Sequence, residues 1–144
     1  MILVDANLLL YAYHPQSEHH HASRTWLESA LSGPELVRFA WMTLWSFLRI
    51  STNPRVFEHP LTIAESEGIV ASWFSQPLVG ILEPGERHWT ILQELVRENQ
   101  TVGPLIMDAA LAAIAMEHGA ILYSTDRDFS RFSALRWINP LVSP

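Results

Sequence analysis

Four aspartates stand where a carboxylate is out of place unless something offsets its charge. Asp5 follows the apolar run Ile2-Leu3-Val4 directly, Asp108 interrupts the apolar segment Leu105 to His118, and Asp126 and Asp128 close the run Ile121-Leu122-Tyr123-Ser124-Thr125. An ionised carboxylate on a buried face is costly without a partner, and several clustered together repel one another. A divalent cation removes both difficulties. Mg²⁺ takes one or two protein carboxylates and keeps several waters, which leaves room for phosphate oxygens. Such an ion polarises a phosphodiester and lowers the pKa of an attacking water, so the residue types point to metal-assisted phosphodiester hydrolysis. Each acid also has a plainer reading: a turn acid for Asp5, a helix-dipole partner for Asp108, a cap for Asp126, and a helix-start acid for Asp128.

The elements that would position these acids alternate between strand and helix. Strands are expected at Ile2 to Val4, Leu36 to Ala40, Val79 to Leu82, Ile121 to Thr125 and Leu135 to Ile138. Helices are expected at Glu18 to Leu31, with Ala22, Trp26 and Ala30 at fourfold spacing, and at Trp41 to Ile50. Thr62 and Glu65 have the spacing of a capping box for a helix running to Phe74. Glu86 to Glu98 and Leu105 to His118 follow, the latter stopped by Gly119 as a left-handed C-terminal glycine. Short strands separated by long helical segments predict an α/β fold with a parallel sheet and helices on both faces. In such a sheet, sites form beyond the carboxyl ends of the strands, where the winding direction reverses. Asp5 and Asp126 meet there if their strands are neighbours. Asp108 shares a stripe with Leu111, Ala112 and Ala115, which points it inward.

Composition narrows the function further. The chain has 144 residues, 49% hydrophobic and 17% charged, which fits one compact domain and excludes a disordered chain. There is no cysteine, so thiol catalysis, Cys-ligated zinc and disulfides are excluded. All nine basic residues are arginine, and without lysine a phosphate-binding P-loop, a Schiff-base enzyme and a receiver-type phosphotransfer domain fall away. The net charge of −6 argues against holding nucleic acid by bulk positive charge. No run approaches the ~20 apolar residues of a membrane span. The start lacks the basic flank of a signal peptide, and a soluble, cytoplasmic protein is expected. His19-His20-His21 fan around a helix start and do not converge on one ion. Trp26, Trp41, Trp45 and Trp73 fall in apolar helical patterns and are expected in the core or in dimer packing.

The motifs Val4-Asp5-Ala6-Asn7, Met107 to Ala115 and Ser124-Thr125-Asp126-Arg127-Asp128-Phe129 resemble, in order, those of PIN-domain nucleases. Thr52 to Phe57 and Leu135 to Leu141 resemble the VapC toxin branch in particular. The resemblance spans essentially all of residues 1–144 and implies a single PIN domain, a three-layer α/β/α fold with a mainly parallel sheet of four to five strands. It also implies a Mg²⁺- or Mn²⁺-dependent endoribonuclease, usually homodimeric and held inactive by a cognate VapB-type antitoxin. Under it Asp5, Asp108 and Asp126 are metal-site carboxylates, Asp128 an additional acid, and Asn7 and Thr125 residues that orient them. Arg49 and Arg127, with Arg55 and Arg131, flank the expected site, where they either fork onto phosphates or neutralise nearby acids. One position departs from the pattern: Ser46 stands where the family usually has Glu. A hydroxyl is a weaker ligand than a carboxylate, so a catalytically weak module acting by RNA or protein binding is the alternative.

Overall fold

Ile2, Leu3 and Val4 (β1) send side chains alternately to the two faces of a sheet, and all three are buried. Leu3 joins a core shared with the late helices, whereas Ile2 and Val4 join one built with the early helices. This two-sided burial explains an uninterrupted apolar run at the centre of a parallel sheet. The computed structural model describes residues 1–142. After β1 come α1 (Ala6–Ala12), α2 (His20–Ser32), β2 (Val37–Phe39), α3 (Trp41–Ser51), α4 (Ile63–Phe74) and β3 (Val79–Ile81). Then follow α5 (His88–Glu98), α6 (Leu105–His118), β4 (Ile121–Tyr123), a 3₁₀ helix (Arg127–Arg131) and β5 (Trp137–Ile138).

The five strands form one sheet in the order β3-β2-β1-β4-β5, every pair parallel. Helices α1 to α4 pack on one face and α5, α6 and the 3₁₀ helix on the other, giving three layers α/β/α. The chain winds outward from β1 through β2 and β3, then crosses back to β4 on the other side of β1. The switch point therefore lies between β1 and β4, where Ile2, Leu3 and Val4 pair with Ile121, Leu122 and Tyr123. One step beyond that register, Asp5 and Ser124 face each other across the strand tips.

Local signals account for most boundaries. The Thr62 side chain accepts from the Glu65 amide at 3.1 Å while Glu65 accepts from the Thr62 amide at 3.0 Å, so the expected capping box starts α4. Gly119 ends α6 with φ of 66°, a conformation that a side chain would strain. At Gly80 an added Cβ would stand 3.1 Å from the Arg38 guanidinium, which lies across the strand.

Two expectations change. Helix α1 lies in a segment where none was expected, because seven residues directly behind a strand are too short to show helical periodicity. In α2 the buried residues are Ser23 and Leu27, while Ala22 is exposed. The apolar stripe read at fourfold spacing was about a quarter turn away from the face that packs. Trp26 lies beside that face and stacks on Tyr123 with ring centroids 5.5 Å apart.

Candidate metal centre

At the tip of β1, Asp5 caps α1: one carboxylate oxygen accepts from the Ala6 amide at 2.8 Å. The other accepts from the Ser124 hydroxyl at 2.7 Å. Ser124 is fully buried, and its oxygen also accepts from the Asn7 side-chain amide at 3.2 Å and from the Asp126 backbone N–H at 3.0 Å. A serine hydroxyl has one proton and two lone pairs, and here all three are used. A single hydroxyl thus fastens the tips of β1 and β4 together. Asn7 and Thr125 were the residues expected to orient the acids; Asn7 donates to Ser124, the Thr125 backbone N–H reaches the Asn7 carbonyl oxygen at 3.5 Å, and the hydroxyl that bonds Asp5 sits one residue before Thr125. The missed signal was the parallel register, which puts the residue after β4 opposite the residue after β1.

Asp126 accepts from the Asp128 amide at 2.9 Å and so caps the 3₁₀ helix. This turns the Asp128 side chain back toward Asp126, and the first turn of α6 brings Asp108 to the same place. Oxygens of Asp108, Asp126 and Asp128 lie within 4.8 Å of one another. Asp5 couples electrostatically to both Asp126 and Asp108, and each of its oxygens accepts one hydrogen bond from the protein. The acids expected to converge do share one sheet edge. The tight group, however, takes Asp128 in place of Asp5.

The electrostatics follow from that crowding. Asp108 is pushed up to about 6, first by burial and then by the charges of Asp126, Asp5 and Asp128, with Arg131 pulling the other way. Burial also raises Asp5, opposed by the hydrogen bonds from Ser124 and Ala6. Arg131 lies 3.7 Å from the Asp128 carboxylate and donates to the Asp128 carbonyl at 3.1 Å. That contact is too loose and too exposed to neutralise three acids. An all-oxygen donor set this close together fits a hard divalent ion such as Mg²⁺ or Mn²⁺ and does not suit a thiolate- or imidazole-seeking metal.

The remaining candidates fall as follows. Ser46 lies half-buried in α3, and its side chain makes no hydrogen bond among the described residues. Arg49, Arg55 and Arg127 are exposed and without acidic partners among the described residues, so only Arg131 of the four touches the cluster. His19 packs against the Tyr11 ring and His20 bonds the Tyr11 carbonyl at 2.9 Å, which leaves the histidine run as a helix start. Trp73 is core at 1% exposure, whereas Trp41 and Trp45, expected in packing, are 44% and 63% exposed.

The PIN domain family model matches residues 2–135. The chain belongs to the PIN-domain family. This PIN domain is 43% identical over 140 residues to Ribonuclease VapC37 of Mycobacterium tuberculosis, covering 97% of each chain. It is 38% identical over 141 residues to Ribonuclease VapC33 of the same species, covering 98% of this chain and 99% of that one. Its fold resembles that of a chain in VapBC2 of Rickettsia felis bound to a DNA fragment from their promoter, with a TM-score of 0.70 at 16% identity, covering 96% of this chain and 98% of that one. It also matches the sarcin-ricin loop cleaving toxin VapC20 of M. tuberculosis, with a TM-score of 0.64 at 18% identity, covering 90% and 93%. PIN-domain nucleases generally use divalent metal ions, and the acidic cluster at the switch point has the chemistry for one.

Proposed function

We propose that this PIN domain is the endoribonuclease toxin of a toxin–antitoxin pair, dependent on Mg²⁺ or Mn²⁺ held by Asp108, Asp126 and Asp128. The observation that carries this reading is the trio of carboxylates with oxygens within 4.8 Å of one another at the switch point. Near-full-length relatives named as ribonucleases support the activity. When bound, such an ion stabilises charge on a phosphoryl oxygen and lowers the pKa of water.

The chain's own residues do the rest. Ser124 bridges the Asp5 carboxylate and the Asp126 backbone N–H, so Asp5, tethered by Ser124 and Ala6, supports the angle at which Asp126 is presented, the supporting role that sets ligand geometry. Asn7 locks the Ser124 hydroxyl. Arg49 and Arg127, exposed and without acidic partners among the described residues, are the proposed phosphate contacts, as guanidinium forks. With a net charge of −6, the protein admits RNA through such local contacts, and unpaired loops are the best substrate because their backbone can be splayed into a cleft.

The partner is an antitoxin that lays an apolar helix on the surface and directs an arginine at the carboxylates. Neighbours of the same fold are toxin–antitoxin complexes. No helix among the described residues is long and apolar enough to cross a membrane, and the cytoplasm, where RNA is made and translated, is the proposed place of action.

The test is incubation of purified protein with structured RNA and Mn²⁺ or Mg²⁺, beside Asp126→Asn, with the cut ends mapped. Cleavage leaving 5′-phosphate and 3′-hydroxyl ends, absent in the variant and in chelator, is expected. The competing reading, a binding module with a weakened site, is favoured by Ser46. It predicts no cleavage by the folded wild type but retained RNA binding. On the nuclease reading Ser46→Glu tightens Mn²⁺, and unchanged titration curves would remove Ser46 from the site.

A further inference from the structure

The last ladder bonds at the acidic edge of the sheet run from the Asp5 amide to the Tyr123 carbonyl, at 3.0 Å, and from the Ser124 amide to the Ile138 carbonyl, at 3.1 Å. The peptide from Tyr123 to Ser124 is thus paired at both ends. The next one, from Ser124 to Thr125, is the first beyond the ladder. Ser124 is fully buried, and buried backbone groups need partners all the same. Side chains supply them here. The indole N–H of Trp137, on β5, donates to the Ser124 carbonyl at 3.0 Å, and the Asn7 side-chain oxygen faces the Thr125 N–H at 3.5 Å.

We infer that Trp137 is a positioning residue of the metal centre, its indole N–H fixing the peptide plane from which Asp126 is presented. The inference rests on the proposed metal site. A peptide is planar, so holding it from two opposite sides leaves the plane little freedom to turn. The hold at 3.5 Å is at the outer limit of a hydrogen bond, so Trp137 carries most of the restraint. One residue further on, the Asp126 amide is tied to the Ser124 hydroxyl at 3.0 Å. Rotation of the preceding peptide would swing the chain that follows, Asp126 included.

Bulk alone does not account for Trp137. Its ring is half-buried against the core that α5 and α6 share with the sheet, and phenylalanine would fill most of that space. What phenylalanine lacks is the donor. Trp26 supplies the contrast. It is also half-buried and packs on Tyr123, one residue earlier on the same strand, with ring centroids 5.5 Å apart, but its indole makes no hydrogen bond among the described residues.

The experiment compares wild type, Trp137→Phe and Trp26→Phe, each verified as folded by circular dichroism, in calorimetric Mn²⁺ titration and in denaturant unfolding. The expected result is a Mn²⁺ dissociation constant raised about tenfold or more by Trp137→Phe and held within about twofold of wild type by Trp26→Phe, whatever each costs in stability. A Trp137→Phe protein that is less stable but binds Mn²⁺ as the wild type does marks a merely structural residue and overturns the inference. So does equal weakening by both variants. A second measurement needs no variant: in ¹H–¹⁵N spectra of the wild type, the Trp137 indole resonance is expected to shift with Mg²⁺ at the same midpoint as the Asp126 amide, while the Trp26 indole stays in place. A Trp137 indole indifferent to Mg²⁺ while the Asp126 amide moves also overturns the inference. If the wild type binds neither ion, the metal-site reading itself fails and the inference falls with it.

Discussion

The tips of β1 and β4 lie side by side and are both acidic, yet they handle charge in opposite ways. At the β1 tip, Asp5 has a protein donor on each carboxylate oxygen, at 2.8 and 2.7 Å. Beyond the β4 tip, Asp126 and Asp128 share one short backbone bond and a loose arginine, and with Asp108 they leave most of their oxygens open. The first is partly satisfied by the protein's own donors. The second leaves oxygens that a divalent cation would bridge, and on the proposed reading Asp108, Asp126 and Asp128 supply the ligand atoms while Asp5 supports them. This difference separates the surroundings of Asp5 from those of Asp126, which lies two residues past the position opposite Asp5.

The comparison breaks most sharply at Asp126→Asn. Loss of a ligand there is expected to lower RNA cleavage by about a thousandfold, the several kcal/mol that a positioned ion supplies. A variant within tenfold of wild type would make the two tips equivalent. Next in size is Ser124→Ala. It leaves Asp5, Asn7 and the Asp126 amide without their shared partner, and about 10–100-fold is expected in metal affinity. It also costs about 1–3 kcal/mol of stability, because the groups left behind are buried. Denaturant titration with and without Mn²⁺ measures both. Thr125→Ala serves as the contrast and should change little.

Acidity supplies a third test. With Asp108 raised to about 6, the folded chain holds that proton more tightly than the unfolded chain, whose carboxyl titrates near 3.8. The metal-free protein therefore loses stability as pH climbs from about 4 through about 6, where unfolded chains already have the proton off. Ion binding runs the other way, since only the ionised form is a ligand. Thermal melts should show Mn²⁺ raising Tm strongly at pH 7.5, by a stabilisation of ~2.7 kcal/mol at a hundred times Kd, and weakly at pH 5. Equal shifts at both pH values would exclude Asp108 as a ligand. The smallest effect is expected for Arg131→Ala: less than about 1 kcal/mol on stability, because its ion pair with Asp128 is partly exposed. Its titration signature should be a further rise in the Asp108 pKa, read by carboxyl NMR.

Much of the architecture was legible from local signals. Apolar runs ending in acid located β1 and β4, the Thr62–Glu65 spacing located the start of α4, and Gly119 located the end of α6. These features depend on neighbours a few positions away, so a linear reading reaches them. Helix α1 escaped because two turns carry too little periodicity, and the packed face of α2 escaped because Ala and Ser bury as readily as they expose.

What the amino-acid order determined alone is the inventory: four aspartates at strand and helix ends, no lysine, no cysteine, and tryptophans spaced along α3. Tertiary structure decided which oxygens converge. The parallel pairing of β1 with β4 brought residues more than a hundred positions apart into one register, made Ser124 the shared hydroxyl, and set Asp128 among the open acids in place of Asp5. It also left Trp45 out of the core, one of the two places, with dimer packing, that helical spacing allowed. Distances of a few ångströms between remote segments depend on register and packing, and no local pattern of residue types encodes them.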